Sequence, residues 1–159
     1  FLFLFFIIIC FNLVNKLLKK IFKMIFNLFP NGTKIYKRPK NAGIIEEDGK
    51  EYNIGCSIYP FQPSNKESLG FPSGHSQTMG MIGTFLTLYL DNKNEKYILK
   101  YLIIWSLVLM VLVQRWYSNC HTLLQIITGT IIGIAIGYGI WELYNKINWD
   151  NVNNKMFKI

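Results

Sequence analysis

Four residues stand out in a chain that otherwise carries its positive charge on lysine. Of 17 basic residues 15 are Lys and two are Arg, Arg38 and Arg115, and the two histidines are His75 and His121. A lysine bias of this kind suggests an AT-rich coding sequence, so an arginine points to a need for the guanidinium itself. That group is a planar fork that grips phosphate in two places, where an ammonium is a point charge. Two imidazoles beside two such forks suit phosphoryl transfer, in which positioning and charge neutralisation supply most of the catalysis. Taken singly, each has an ordinary reading: His75 as a helix cap, His121 as an interfacial side chain, the arginines as anchors to lipid phosphate. The set acquires chemical meaning only if the fold gathers it.

The composition says what kind of fold that would be. The chain has 159 residues, is 51% hydrophobic and 16% aromatic, and carries a net charge of +8. That is the size of one domain and is rich in apolar residues for a soluble one. The basic residues flank apolar runs and build no nucleic-acid module, so the expected partners are anionic head groups or substrates and not nucleic acid. Cys10, Cys56 and Cys120 are odd in number and lack C-x-x-C spacing, so neither a disulfide framework nor a metal site is expected. The chain opens within an apolar run over residues 1–14, short of the ~20 residues that span a bilayer. It reads as the end of a truncated transmembrane helix.

Three further membrane segments are expected, at about 76–90, 97–114 and 122–142. Counting crossings puts residues before 76 and residues 115–121 on one face, and residues 91–96 and the tail from 143 on the other. His75, His121, Arg38 and Arg115 therefore share a face. Residues 16–29 place Lys16, Lys19, Lys20 and Lys23 at helical spacing, largely opposite Leu17, Leu18, Ile21, Phe22 and Ile25, and read as an amphipathic helix in the head-group layer. Residues 30–71 turn to Gly, Pro, Asn and charge without a period and read as an extramembrane loop. Gly129, Gly133 and Gly137 recur every four residues, which predicts close helix packing. Pro72 and Gly74 predict a turn that delivers backbone N–H groups and the Ser73 hydroxyl at the N-terminus of the helix starting near Ser76, an end that favours an anion.

In this order the residues resemble the type 2 phosphatidic acid phosphatase (PAP2) and haloperoxidase superfamily, whose signature is K-x6-R-P, then P-S-G-H, then S-R-x5-H-x3-D. Arg38-Pro39, Pro72-Ser73-Gly74-His75 and Arg115-x5-His121 match it in sequence. Three positions depart: Gln114 stands for the serine, Gln125 for the aspartate, and Asn31 where the lysine would be. The resemblance is nearest to the dolichyldiphosphatase branch, which is similar in having H-T-x-x-Q and a Ser-Gln after the middle histidine, as in His121-Thr122-Leu123-Leu124-Gln125 and His75-Ser76-Gln77. Asn15-x-x-x-Lys19 resembles the N-x-x-x-K that leads into the first motif. Lys19 is the candidate lysine, with Lys23 and Lys34 as alternatives.

The resemblance implies an all-α integral-membrane helix bundle, multi-pass, N-terminally truncated relative to a six-helix core. Its domain would cover residues 1–145, with the active-site loop at about 30–75 and a polar tail at 146–159. It further implies a lipid phosphate phosphatase acting on a phosphomonoester or diphosphate of a lipid or polyprenyl carrier, without cofactor or metal. In that reading His121 attacks phosphorus, His75 protonates the leaving oxygen, Gln125 orients His121 as an i+4 neighbour, and Arg38, Ser73, Gly74, Arg115 and Lys19 hold the phosphate. The alternative is a catalytically impaired relative that binds anionic lipid without turnover, which Gln125, Asn31 and the truncated start leave open. The compartment, endoplasmic reticulum or plasma membrane, and the oligomeric state stay undetermined.

Overall fold

The structure, a computed structural model, describes residues 2–53, 56, 69–93 and 97–147. Within these residues the chain is an all-helical bundle carrying one small hairpin. Five helices, α1 (Leu2–Phe26), α2 (Gly32–Tyr36), α3 (Gly74–Asn92), α4 (Ile98–Tyr117) and α5 (Leu123–Ile147), are joined by a hairpin of β1 (Ile44–Glu47) and β2 (Lys50–Asn53) between α2 and α3. Most of the tail from 146 onward and much of the loop up to 68 lie outside the described residues.

Two expectations are corrected here. The apolar opening and the lysine-bearing stretch that follows are one continuous helix, because nothing between Val14 and Lys16 breaks helical propensity. The loop expected to lack regular structure contains α2 and an antiparallel hairpin in which Ile44 faces Asn53 and Glu47 faces Lys50. Its two-residue turn is Asp48-Gly49, both with positive φ (51° and 71°), the geometry that a tight hairpin requires and that Asp-Gly supplies readily. That dipeptide was the sequence signal for the hairpin.

Helices α4 and α5 are long and apolar enough to cross a membrane, each with mean hydropathy 1.8. Around α4 the exposed side chains include Leu99, Leu102, Ile103, Leu107, Leu109, Met110, Val113 and Trp116, a largely apolar surface that water would penalise and lipid would not. The chain is accordingly a membrane protein. Helix α3, expected as a span at 76–90, is not one of these two; it lies between α4 and α5 and packs most extensively on α5.

That packing is backbone against backbone, and it confirms the glycine stripe as a packing surface. A Cβ at Gly129 would lie 2.6 Å from Ser73 O, one at Gly133 2.1 Å from Gln77 O, and one at Gly137 2.6 Å from Met81 O. From the other side, a Cβ at Gly80 would lie 2.7 Å from Thr130 O. Only residues without a side chain permit such an approach. At the end of the bundle away from the histidines, Phe85, Trp141 and Tyr144 form a buried aromatic cluster, with Phe85 edge-on to Tyr144 at 5.5 Å.

The contrast between two glycines tests this. Gly133→Ala forces a methyl into a peptide carbonyl and is expected to destabilise the protein in detergent micelles by about 1–3 kcal/mol. Gly139→Ala, with nothing within 4 Å of its Cβ, is expected to be neutral or mildly stabilising. Thermal unfolding of both variants reads the difference, and equal melting temperatures would remove the close approach as the source of α3–α5 packing.

Candidate active site

The three sequence motifs meet at one end of the bundle, and the side chain at the junction is Gln125. It is fully buried, and its amide makes four hydrogen bonds. Nε2 donates to Ile35 O and to Lys37 O, both at 2.8 Å. Oε1 accepts from Thr122 N at 3.3 Å and faces His121 Nδ1 at 3.1 Å. Thr122 Oγ1 in turn accepts from Gln125 N at 3.3 Å, so Thr122-x-x-Gln125 is a reciprocal capping box at the start of α5. The backbone takes part as well, since Ser73 N donates to Gln125 O at 3.0 Å.

This fixes the chemistry of the histidine. Reversing the amide would set Oε1 against two carbonyl oxygens, so the oxygen must face His121. Nδ1 therefore carries the proton and donates it to Gln125, and Nε2 keeps its lone pair. Gly70 makes room for the junction: a Cβ there would lie 2.7 Å from Gln125 Oε1.

The second motif is held from both sides. Gly70 N and Phe71 N donate to Tyr36 O at 2.7 and 3.2 Å, and Leu69 bridges to Lys37, which ties the approach to α3 to the Arg38 segment. The Phe71 ring packs edge-on against Phe22 and Phe26 of α1, at 4.9 and 5.1 Å. After the cis Phe71-Pro72 bond, Ser73 caps α3, its Oγ accepting from Ser76 N at 3.5 Å and from Ser76 Oγ at 2.8 Å. Neither bond uses the Ser73 hydroxyl proton. Gly74 and His75 form the first helical turn, whose N–H groups have no partner within the helix.

The cations converge on the same place. Lys19 Nζ donates to Leu69 O at 3.0 Å, while Lys23 and Lys34, its alternatives, are exposed. Asn31, at the position of the family lysine, is exposed too. Arg115 Nε donates to Gln114 Oε1 and its Nη1 to Cys56 O at 3.3 Å. Arg38 Nε is buried without a hydrogen-bond partner among the described residues.

Burial first, and then Arg38, holds the His121 imidazole down to about 3, against a smaller opposite effect of the Gln125 bond. Burial, and then Arg115, Arg38 and Lys19, hold His75 down to about 4. Lys19 is lowered to about 8 by burial and then by Arg38. The charges bearing on Lys19 and the two histidines are all positive, with no carboxylate among them. Such a cluster is arranged for an anion.

The expectation that the cysteines build no disulfide is corrected here: Cys56 and Cys120 form one, with Cα atoms 5.5 Å apart. The two residues are 64 apart in sequence, and an odd cysteine count without regular spacing carries no pairing signal. The bond ties the loop to the residue preceding His121. Around it, Ser118 Oγ donates to Gln114 O at 2.6 Å and Gly43 N donates to Ser118 O at 3.0 Å.

Two measurements test the site. Gln125→Leu strands two carbonyls and two N–H groups in a buried place and is expected to cost roughly 2–4 kcal/mol of stability. Gln125→Glu is expected to be pH-dependent, because two carbonyl oxygens and burial raise the new carboxyl's pKa above its unfolded value. Relative to the wild type, its stability should be highest in acid and fall as pH rises through that raised value; a flat difference would mean that Nε2 does not hold Ile35 O and Lys37 O. In the wild type the histidine pKa values are lowered on folding, so the unfolded state binds more protons below pH 6.5. The melting temperature should fall from pH 6.5 toward about 4, and inorganic phosphate should lessen the fall. No anion effect on that slope would detach the histidines from an anion site.

The model of the PAP2 superfamily matches residues 1–149. Over 110 residues the chain is 30% identical to dolichyldiphosphatase 1 of Dictyostelium discoideum, a match covering 62% of this chain and 48% of that protein. Over 75 residues it is 29% identical to lipid A 4′-phosphatase of Porphyromonas gingivalis, covering 47% of this chain and 30% of that protein. The chain thus spans less than half the length of these curated relatives. No solved structure matches. With the family model extending over nearly the whole sequence and the three motifs gathered at one end of the bundle, the chain belongs to the PAP2 superfamily.

Proposed function

We propose that the protein hydrolyses a phosphomonoester or diphosphate on a lipid or polyprenyl carrier through a phosphohistidine intermediate. The observation that carries the reading is the convergence of Lys19, Arg38, Arg115, His75 and His121 beside two helices apolar enough to enter a bilayer. The names of the two relatives, a dolichyldiphosphatase and a lipid A phosphatase, point the same way.

In this mechanism the His121 Nε2 lone pair attacks phosphorus while the bond to the lipid oxygen breaks. Its Nδ1–H stays on Gln125, which is a neutral acceptor where the family pattern has an aspartate. His75 gives its proton to the departing oxygen. Both rings are held neutral in the anion-free site, and an arriving phosphate offsets the positive neighbours and raises the pKa of His75, so the substrate itself arms the acid. Water then gives a proton back to His75 and attacks the phosphohistidine, the P–N bond breaks, and inorganic phosphate leaves. Arg38, Arg115, Lys19, the Ser73 hydroxyl and the first-turn N–H of Gly74 hold the phosphoryl oxygens throughout. These groups supply the charge neutralisation, so the reading requires no metal.

The disulfide supports an orientation as well. A bond of this kind persists in oxidising compartments, so the face that carries the histidines belongs on the extracytoplasmic or lumenal side, with the spans crossing more than once.

Phosphate release from dolichyl diphosphate, undecaprenyl diphosphate, phosphatidate and sphingosine phosphate, measured on purified protein in EDTA, is the direct test. Turnover of at least one is expected, with an acid-labile phosphoenzyme trapped in the wild type and absent, along with turnover, in His121→Ala. Equal labelling of both proteins removes His121 as nucleophile. Lack of turnover on every lipid, with vesicles containing phosphatidate still bound, turns the reading to an anionic-lipid binder.

A further inference from the structure

Resting on the phosphatase reading, we infer that Asn15 and Gln77 form a positioning pair that sets helix α1 so that Lys19 reaches the phosphoryl site. Asn15 and Lys19 are four residues apart on α1 and so share a face. Asn15 is 8% exposed and Gln77 is fully buried, and Asn15 Nδ2 donates to Gln77 Oε1.

Each partner is fixed to a different part of the machinery. A Cβ on Gly74 would lie 3.0 Å from Asn15 Oδ1, so Asn15 presses directly on the turn that carries Ser73 and His75. The Gln77 carbonyl lies against Gly133 of α5, where even a methyl group would collide. The line of contact therefore runs from α5 through Gln77 and Asn15 to Lys19. It is needed because α1 touches α3 far less than α5 does, and the lysine side chain is long and rotatable. Its bond to Leu69 O is made at the end of four methylenes and cannot by itself fix the helix.

Energetics favours a positioning role over simple adhesion. Gln77 Nε2 is buried and has no hydrogen-bond partner among the described residues. A half-satisfied buried amide costs stability, and two apolar side chains would join α1 to α3 without that cost. What an amide pair adds is direction: it holds in one register, where leucine on leucine slides.

The test is a double-mutant cycle read by the affinity of purified protein for inorganic orthovanadate and by turnover of the lipid that the wild type hydrolyses. Asn15→Ala and Lys19→Ala are each expected to weaken vanadate about tenfold. The double variant should be no worse than Lys19→Ala alone, because the proposal has Asn15 act on phosphate through the lysine and not through the turn that it touches. A structural defect would instead add. Gln77→Leu repeats the cycle from α3 in case Asn15→Ala folds poorly, and Asn15→Gln with Gln77→Asn, which keeps the pair while exchanging its lengths, should recover affinity to within about threefold. Additive losses in both cycles, or wild-type affinity in Asn15→Ala, overturn the proposal while leaving turnover in place. A wild type that neither binds vanadate nor turns over any lipid defeats the phosphatase reading, and this proposal with it.

Discussion

A primary amide has two donors and two acceptor positions, and in Gln125 all four are taken at once by groups from different parts of the chain. The two donors close on the carbonyls flanking Tyr36, just ahead of Arg38. The oxygen closes on the first N–H of the α5 cap and on His121. No carboxylate can do this, since an ionised acid only accepts. The glutamine looks, by comparison with the aspartate of the family pattern, like a weakened catalytic residue. In the structure it also joins the first motif to the third, a task that a carboxylate in its place would oppose.

That junction is possible because the backbone around it comes unusually close. Gly70 leaves the space that Gln125 fills, Gly129 lets Ser73 approach α5 near enough for Ser73 N to reach Gln125 O, and Gly133 carries the same approach one turn further to Gln77. The polar groups gather at one helix end for a related reason. Along the apolar lengths of α4 and α5 an unpaired amide or guanidinium would have no water to turn to, whereas at their ends the loops supply partners. The disulfide adds a covalent limit, holding Cys56, whose carbonyl orients Arg115, next to the residue before His121.

The sequence was most legible where one residue type is demanded. Arg38, Arg115, His75 and His121 stood out by scarcity, and the structure gathers them at one end of the bundle, although the crossing count that put them on one face used α3 as a span, which is not one of the two helices long and apolar enough to cross. The glycine stripe followed from its period. What stayed hidden depends on long-range geometry or on competing signals. The Cys56–Cys120 pairing is a coincidence of two loops that no spacing encodes. The continuity of α1 was masked by a change from an apolar to an amphipathic pattern within one helix. The hairpin was missed although Asp48-Gly49 marks it, because its flanking strands are short and charged and lack the apolar alternation that makes such a dipeptide decisive. Asn15 was read only as the first residue of the N-x-x-x-K pattern that ends at Lys19; its partner Gln77 lies 62 residues away, and nothing local says that the two amides meet.

The electrostatic state of the site explains why a neutral residue at position 125 is compatible with the phosphatase reading. Arg38 and Lys19 press on both histidines and Arg115 on His75 as well, and among the described residues no carboxylate offsets them. An acid beside His121 would give its ring a local counter-charge and raise its pKa, drawing a proton onto the very nitrogen that must attack. Glutamine fixes the same tautomer while supplying no charge, so the lone pair on Nε2 stays free in the anion-free protein. The negative charge that the cluster needs then comes with the phosphoryl group. In the proposed mechanism its arrival offsets the cations that suppress His75, which then serves as proton donor while His121 attacks phosphorus. On this view the difference between nucleophile and acid lies less in the rings than in their neighbours, since Gln125 fixes the tautomer of His121 and Arg115 bears on His75 alone.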